Sequence, residues 1–157
     1  MIASATTPNE VRYVCRHMRE RSREEMFLLR ADDDADALAD ALAAVPGVAW
    51  CAYHGGRPAA VIGAYPMHPG VWGLFGFGTD DYRHVMVEVT KHARRVMMPV
   101  VAAVAHRAQC LSPVGHEETH RWLRFLGARE EARLRAYGKG GEDVILFAWW
   151  RDDDVRR

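Results

Sequence analysis

The sequence of 157 residues predicts an α/β protein with a mixed central β-sheet and helices on both of its faces. Two patterns support this prediction. Apolar residues recur at helical spacing in several segments, whereas short apolar runs bounded by Gly and Pro indicate strands. The predicted order is β-α-α-α-β-β-β-α-β-α-β-β. A hairpin lies in the middle and a helix crosses between later strands, so the sheet should contain antiparallel and parallel pairs.

The first third of the chain is predicted to contain one strand and three helices. The strand covers residues 1–6, MIASAT. The first helix begins with Thr7 as its cap, Pro8 in its first position and Glu10 in its first turn, a pattern typical of helix starts. Two further apolar stripes at helical spacing follow, and the Pro-Gly pair at 46–47 ends the last of them.

The rest of the chain is predicted to add strands and two helices. A long helix begins at Tyr82 and stops before Pro99, because the residue that precedes proline disfavours the helical conformation. A second helix covers 116–126 and ends at Gly127, a residue suited to a left-handed cap. The strands are predicted at residues 48–53, 59–65, 71–77, 100–105, 132–138 and 143–150.

Composition limits the classes of partner and compartment. The length suits one domain, predicted over residues 1–150, with a polar tail at 151–157. Basic and acidic residues number 21 each, so no general attraction to nucleic acid or anionic membranes is expected. The three cysteines are far apart, which favours a reducing compartment. Neither a signal peptide nor a membrane-spanning run is recognisable, and a cytoplasmic location is therefore predicted.

Three motifs and the element order resemble those of the GNAT acetyltransferases. Residues 118–128, ETHRWLRFLGA, are similar to the fourth helix of that family and the turn that follows it. Within the family the chain most resembles small internal virion or assembly proteins of T7-like podophages. That likeness rests on Arg121-Trp122-Leu123 before Leu126-Gly127, on Met18-Arg19 before Glu24-Glu25, and on the run from Trp72 to Thr79. The resemblance implies a mixed sheet between helices and, in active members, acetyl-CoA as cofactor.

The resemblance also implies where acetyl-CoA would bind. The family's pyrophosphate loop precedes its third helix, and residues 75–82 occupy that place here. Four residues of this region are the implied contacts: Gly76, Gly78, Thr79 and Arg83. Asp80 and Asp81 depart from the family pattern, because carboxylates at a helix start compete for the N–H donors and repel a phosphate.

Two further departures affect catalysis. His116 stands where the family often has Asn, and Leu123 stands where a Tyr commonly protonates the departing thiolate. Leucine has no proton to donate. The main hypothesis is therefore a phage virion-associated or assembly protein without a bound cofactor, located in the host cytoplasm or the virion, with other virion proteins or itself as partner. The alternative is an active N-acetyltransferase acting on an amine of a small molecule or protein.

Other constellations have both a chemical and a structural interpretation. His116 and His120 match H-E-x-x-H, the spacing of a zinc site on a helix. The acids between them are equally explained by the dipole of a first helical turn, and no metal is predicted. The remaining candidates are Cys110 as a nucleophile with His116 or His106, His54 or His68 as a general base, and Trp149 or Trp150 as an interface anchor. For each of these residues, a structural role is favoured over a chemical one.

Overall fold

A computed structural model describes Ile2 and residues 6–151. Its sheet consists of β1 (Val48–His54), β2 (Arg57–His68), β3 (Val71–Gly78), β4 (Arg107–Pro113), β5 (Arg129–Leu134) and β6 (Val144–Trp150). The strand order is β1-β2-β3-β4-β6-β5. Only the pairing of β3 with β4 is parallel among the described strands, and the mixed sheet predicted from the sequence is confirmed.

Helices cover both faces of the sheet, as predicted. They are α1 (Pro8–Arg16), α2 (Glu20–Phe27), α3 (Ala35–Ala44), α4 (Tyr82–His92), α5 (Met98–Val104) and α6 (Glu117–Phe125). Apolar residues of α1, α2 and α3 pack with Val61 and Phe77 on one face. Residues of α4 and α6 pack on the other face, against clusters that contain Ile62 and Phe147. None of the helices described is long and apolar enough to cross a membrane.

The start of α1 agrees with the prediction. Thr7 accepts a hydrogen bond from the Glu10 N–H, and Glu10 accepts one from the Thr7 N–H, which completes a capping box. The strand predicted over residues 1–6 lies mostly outside the described residues. Ile2 forms an isolated antiparallel bridge with Ala52. The tail beyond Arg151 also lies outside the described residues.

The prediction of a strand over residues 100–105 is wrong, because α5 occupies residues 98–104. A π-helical turn at Ala93–Met97 joins α4 to α5, and the Met98 N–H donates to the Ala93 carbonyl five residues earlier. Proline is tolerated in a first helical turn, so Pro99 begins a new helical segment rather than ending the helix. Met97, Val101 and Ala105 are buried at intervals of four, which is helical spacing.

The sequence predictions for β4 and β5 are wrong in place. No strand is predicted over residues 107–113, RAQCLSP, which contain one large apolar residue, Leu111. A strand is predicted over 132–138, whereas β5 ends at Leu134. Ala136 has a positive φ of 51° and the Tyr137 and Gly138 N–H groups both donate to the Glu142 carbonyl, so this segment turns instead of extending.

Candidate active-site cleft

The two parallel strands separate soon after they pair. Within residues 6–151, β3 and β4 are in register only at Val71–Arg107, Trp72–Ala108 and Gly73–Gln109. Beyond these positions β3 stays paired with β2, and β4 stays paired with β6. Each strand is therefore held by its outer neighbour while a gap opens between them. Alternate peptide groups of β3 face this gap instead of a partner strand.

The gap is part of a cleft of about 830 Å³. Pockets of this size accept cofactor-sized ligands. The cleft is lined by residues of β3, β4, α4 and α6, and it extends to residues of α1, α2, α3, β1 and β2. The lining residues around the gap include Leu74, Phe75, Gly76, Phe77, Tyr82, Met86, Gln109, Cys110, Leu111, Ser112, Thr119 and Trp122. On its far side the Trp122 indole N–H donates to the Thr90 hydroxyl at 2.8 Å, which ties α6 to α4.

The start of α4 differs from the sequence expectation. Asp81 is its N-cap residue, but its backbone is helical (φ −76°, ψ −4°) and no side chain of the described residues caps the helix. Side-chain capping requires a more extended backbone at this position. The Asp81 N–H instead donates to the Thr79 hydroxyl at 3.2 Å. The expectation that Asp80 and Asp81 would occupy the N–H donors is therefore wrong, although their charge remains nearby.

The loop between β3 and α4 is fixed from the opposite face of the sheet. The Arg19 N–H donates to the Gly78 carbonyl at 2.9 Å, and the Gly78 N–H donates to the buried Ser22 hydroxyl at 3.1 Å. A Cβ at Gly78 would lie 2.8 Å from the Ala59 carbonyl oxygen, so this close approach requires glycine. The residue before α2 and the first turn of α2 thus hold the end of β3, just before α4.

The four predicted cofactor contacts have different surroundings. Gly76 lines the cleft, and a Cβ built on it would make only ordinary contacts, 3.4 Å from Ile62 Cγ2. Gly78 and Thr79 are buried in the loop that precedes α4. Arg83 is exposed on the first turn of α4, and its Nε–H donates to His84 Nε2 at 3.2 Å. Of these four residues only Gly76 lines the cleft, and the other three lie at the end of β3, after it and in the first turn of α4.

Two side chains that keep their protons at neutral pH, those of Tyr82 and Cys110, line the cleft. Burial raises the pKa of Tyr82 to about 12, and the Arg19 guanidinium lies 4.2 Å from its ring centroid. Burial also raises the pKa of Cys110 to about 12. At neutral pH both groups retain their protons, which argues against Cys110 as a nucleophile. Cys110 could not be assigned to the cleft from sequence, because β4 itself was not predicted.

The H-E-x-x-H histidines make polar contacts with α2 and β4. His116 Nδ1 lies 2.8 Å from a Glu25 oxygen, and Nε2 lies 2.9 Å from a Glu24 oxygen. The Thr119 hydroxyl also donates to Glu25, at 3.0 Å. His120 is buried, with Nε2 3.1 Å from the Ser112 hydroxyl. These contacts give the motif a structural role that joins α6 to α2 and β4.

The buried His120 makes stability depend on pH. Burial lowers its pKa below the usual value of 6.5. The unfolded chain therefore binds more protons in acid, and stability falls as the pH drops below about 6.5, by at most about 1.4 kcal/mol per pH unit for this residue. Urea unfolding at a series of pH values should show this loss, and His120→Gln should flatten the profile. Equal slopes for the two proteins would contradict the prediction.

Leu123 lines the cleft but places no ionisable group there. It is 6% exposed and packs with Ala128, Ile145 and Phe147 beneath α6. The residue that matches the family's tyrosine is thus part of the core on that face. Trp149 packs in the same cluster, and its indole N–H donates to the Leu126 carbonyl at 3.0 Å. Its neighbour Trp150 is half-buried beneath the Arg129 guanidinium.

The two histidines considered as general bases do not line the cleft. His54 is exposed at the end of β1, where its ring stacks on that of His84. His68 is exposed at the opposite end of β2. The structure therefore does not bring either imidazole to the gap between β3 and β4.

A mixed sheet with helices on both faces is shared with solved structures of GNAT acetyltransferases, and this chain has that fold. The ribosomal-protein-alanine N-acetyltransferase from Brucella melitensis superposes with a TM-score of 0.71 at 14% identity, covering 96% of this chain and 99% of that one. An aminoglycoside 6′-acetyltransferase type Ii gives 0.69 at 14% identity, covering 96% of each chain.

A third similar structure contains coenzyme A. It is the ribosomal L7/L12 α-N-protein acetyltransferase, with a TM-score of 0.63 at 11% identity, covering 94% of this chain and 92% of that one. No protein-family model matches the sequence, and no curated protein matches it. At these identities the structural likeness establishes the fold.

Proposed function

We propose that this chain is an acetyl-CoA-dependent N-acyltransferase whose cofactor lies in the cleft between β3 and β4. The separation of these strands after Gly73 and Gln109 carries the proposal, because it opens a cleft of about 830 Å³ at the centre of the sheet. The start of α4 supports it, since no carboxylate caps the N–H groups there among the described residues. A helix N-terminus without a bound side chain favours phosphate.

The residues present fit the cofactor at both ends of the cleft. Gly76 leaves space along β3, and the exposed Arg83 guanidinium in the first turn of α4 offers donors for a pyrophosphate, whereas the Tyr82 and His84 N–H groups already donate to backbone carbonyls. Peptide groups of β3 that face away from β2 can donate to an acyl oxygen or align a pantetheine chain. When bound, acetyl-CoA supplies the acyl group as a thioester, which an acceptor amine attacks directly.

Proton transfer must use residues other than Leu123. The Tyr82 hydroxyl and the Cys110 thiol line the cleft and keep their protons at neutral pH, because burial raises the pKa of each to about 12. Either group can return a proton to a departing thiolate. Glu25 also lines the cleft, held by His116 and Thr119, and its carboxylate can accept a proton from the acceptor amine.

Calorimetry with acetyl-CoA tests the proposal directly. Titration into the purified full chain should show saturable binding of one molecule per chain, and a panel of amines should then release free CoA thiol. ADP should compete if the start of α4 holds the pyrophosphate. If acetyl-CoA does not bind, the proposed function is wrong.

The second candidate is a phage virion-associated or assembly protein with this fold and a degraded cofactor site. Two features favour the degraded cofactor site of this candidate: the buried Leu123 in place of a proton donor, and the charge of Asp80 and Asp81 at the start of α4. In that role the chain would reside in the host cytoplasm or the virion and bind other virion proteins or itself. It would be stable without binding acetyl-CoA, and antibody detection in purified virions would support it.

A further inference from the structure

We propose that His54, Asp81 and His84 form a binding site for one divalent transition-metal ion of the Zn²⁺ class. One ligand atom from each residue lies within 4.8 Å of the other two. Two imidazoles and a carboxylate are donors that bind zinc and related metals. None of the three lines the cleft between β3 and β4, so the proposal does not depend on acyl transfer.

The fold brings these residues together from two separate segments. His54 is the last residue of β1, directly before a tight turn in which Gly55 and Gly56 both have positive φ. Asp81 is the N-cap of α4, and His84 lies in its first turn. Because α4 packs on β1 and β2, the tip of this hairpin meets the start of the helix.

The Asp81 carboxylate is available to bind a metal ion. An aspartate at a helix N-cap usually accepts a hydrogen bond from the backbone of the first turn. Here the helical backbone of Asp81 prevents that, and no cap bond from its side chain is present among the described residues. Its carboxylate lies instead beside the rings of His54 and His84. The acid that does not cap the helix therefore faces two imidazoles.

The two imidazoles are close enough to share an ion after small rotations. Their rings stack with centroids 4.3 Å apart and planes 12° from parallel. Zinc bonds to nitrogen and oxygen are about 2.0–2.2 Å long, which places tetrahedral ligand atoms roughly 3.4 Å apart. Both histidines are exposed, so turning about their side-chain bonds can supply the remaining contraction. Three protein ligands leave a fourth position for water.

Arg83 competes with a metal ion for the His84 imidazole. Its Nε–H donates to His84 Nε2 at 3.2 Å, which occupies one of the two ring nitrogens of that residue. The Arg83 side chain is exposed and can leave, or His84 can bind through Nδ1. Replacing Arg83 by a neutral residue should tighten metal binding. The change removes a donor that competes for His84 and a positive charge that repels the ion.

Zinc binding by the untagged full chain tests the site. Equilibrium dialysis with Zn²⁺ should show one high-affinity ion per chain. Removal of a ligand in His54→Ala, Asp81→Asn or His84→Ala should weaken binding at least about tenfold, since even partners outside the ligand set cost that much. Zn²⁺ should also raise the melting temperature of the wild type, because the ion binds the assembled site of the folded chain more tightly than it binds the unfolded chain.

His68→Ala is the matched control, since His68 is an exposed histidine at the far end of β2. It should bind Zn²⁺ as the wild type does, and Arg83→Gln should bind at least as tightly. Circular dichroism verifies that each surface variant is folded. The proposal is overturned if Zn²⁺ does not saturate the chain, if Asp81→Asn binds as well as the wild type, or if His68→Ala weakens binding as much as His54→Ala.

Discussion

Gly76→Leu is expected to abolish acetyl-CoA binding without unfolding the protein. Gly76 lines the cleft on β3, and a Cβ there would lie 3.4 Å from Ile62 Cγ2 and 3.9 Å from the Val61 carbonyl oxygen. The backbone therefore accepts a side chain, and leucine would extend into the space proposed for the cofactor. We expect at least about a 100-fold loss of affinity by calorimetry, which corresponds to about 2.8 kcal/mol.

Ala102→Leu is the control for this variant. Ala102 is exposed on α5, so the same side chain is added away from the cleft. Its affinity for acetyl-CoA and its melting temperature should match those of the wild type. Gly78 is unsuitable for the experiment, because any Cβ there would approach the Ala59 carbonyl oxygen too closely. If Gly76→Leu stays folded and still binds acetyl-CoA normally, the cofactor does not occupy this part of the cleft.

Phe147→Ala is expected to cause the largest loss of stability. Phe147 on β6 is fully buried, packs with Leu123 and Ile145, and its ring centroid lies 5.0 Å from that of His120. Its removal leaves a cavity at the base of α6, and such substitutions cost about 3–5 kcal/mol. Because whole domains are stable by only about 5–15 kcal/mol, this is a large fraction of the total. Urea unfolding measures the loss.

Phe125→Ala provides the same chemical change on the surface. Phe125 belongs to α6 but is 60% exposed, with the Arg94 guanidinium 5.1 Å from its ring centroid. Its loss should cost less than about 1 kcal/mol. If the two alanine variants lose similar stability, the cluster beneath α6 does not contribute as described.

Local sequence patterns predict the structure correctly where a few neighbouring residues determine it. The Thr7 cap, the helix that ends near Gly127 and the hairpin of β1 and β2 all follow from a few neighbouring residues. Residues 98–105 show the limit of this reasoning. An apolar run has no visible period, so a buried strand and a helix with one buried face look alike until the packing of Met97, Val101 and Ala105 is known.

The candidate site was only partly predictable for a related reason. The residues around Gly76 and Thr79 are predicted because they resemble a family loop. The opposite wall of the cleft is not predicted, because β4 is not, so the sequence does not place Cys110 or Ser112 in the cleft. The conformation of Asp81 could not be read from the sequence either. Aspartate is among the best capping residues, and only its helical backbone prevents capping here.

The sequence by itself therefore determined the class of fold and the places of β1, β2, β3 and β6, because burial periodicity and turn residues are local properties. The tertiary structure alone decided that β3 and β4 separate into a cleft and that α4 begins without a carboxylate cap. It also decided that His54 meets Asp81 and His84. These features depend on contacts between segments distant in the chain, and such contacts leave no local pattern.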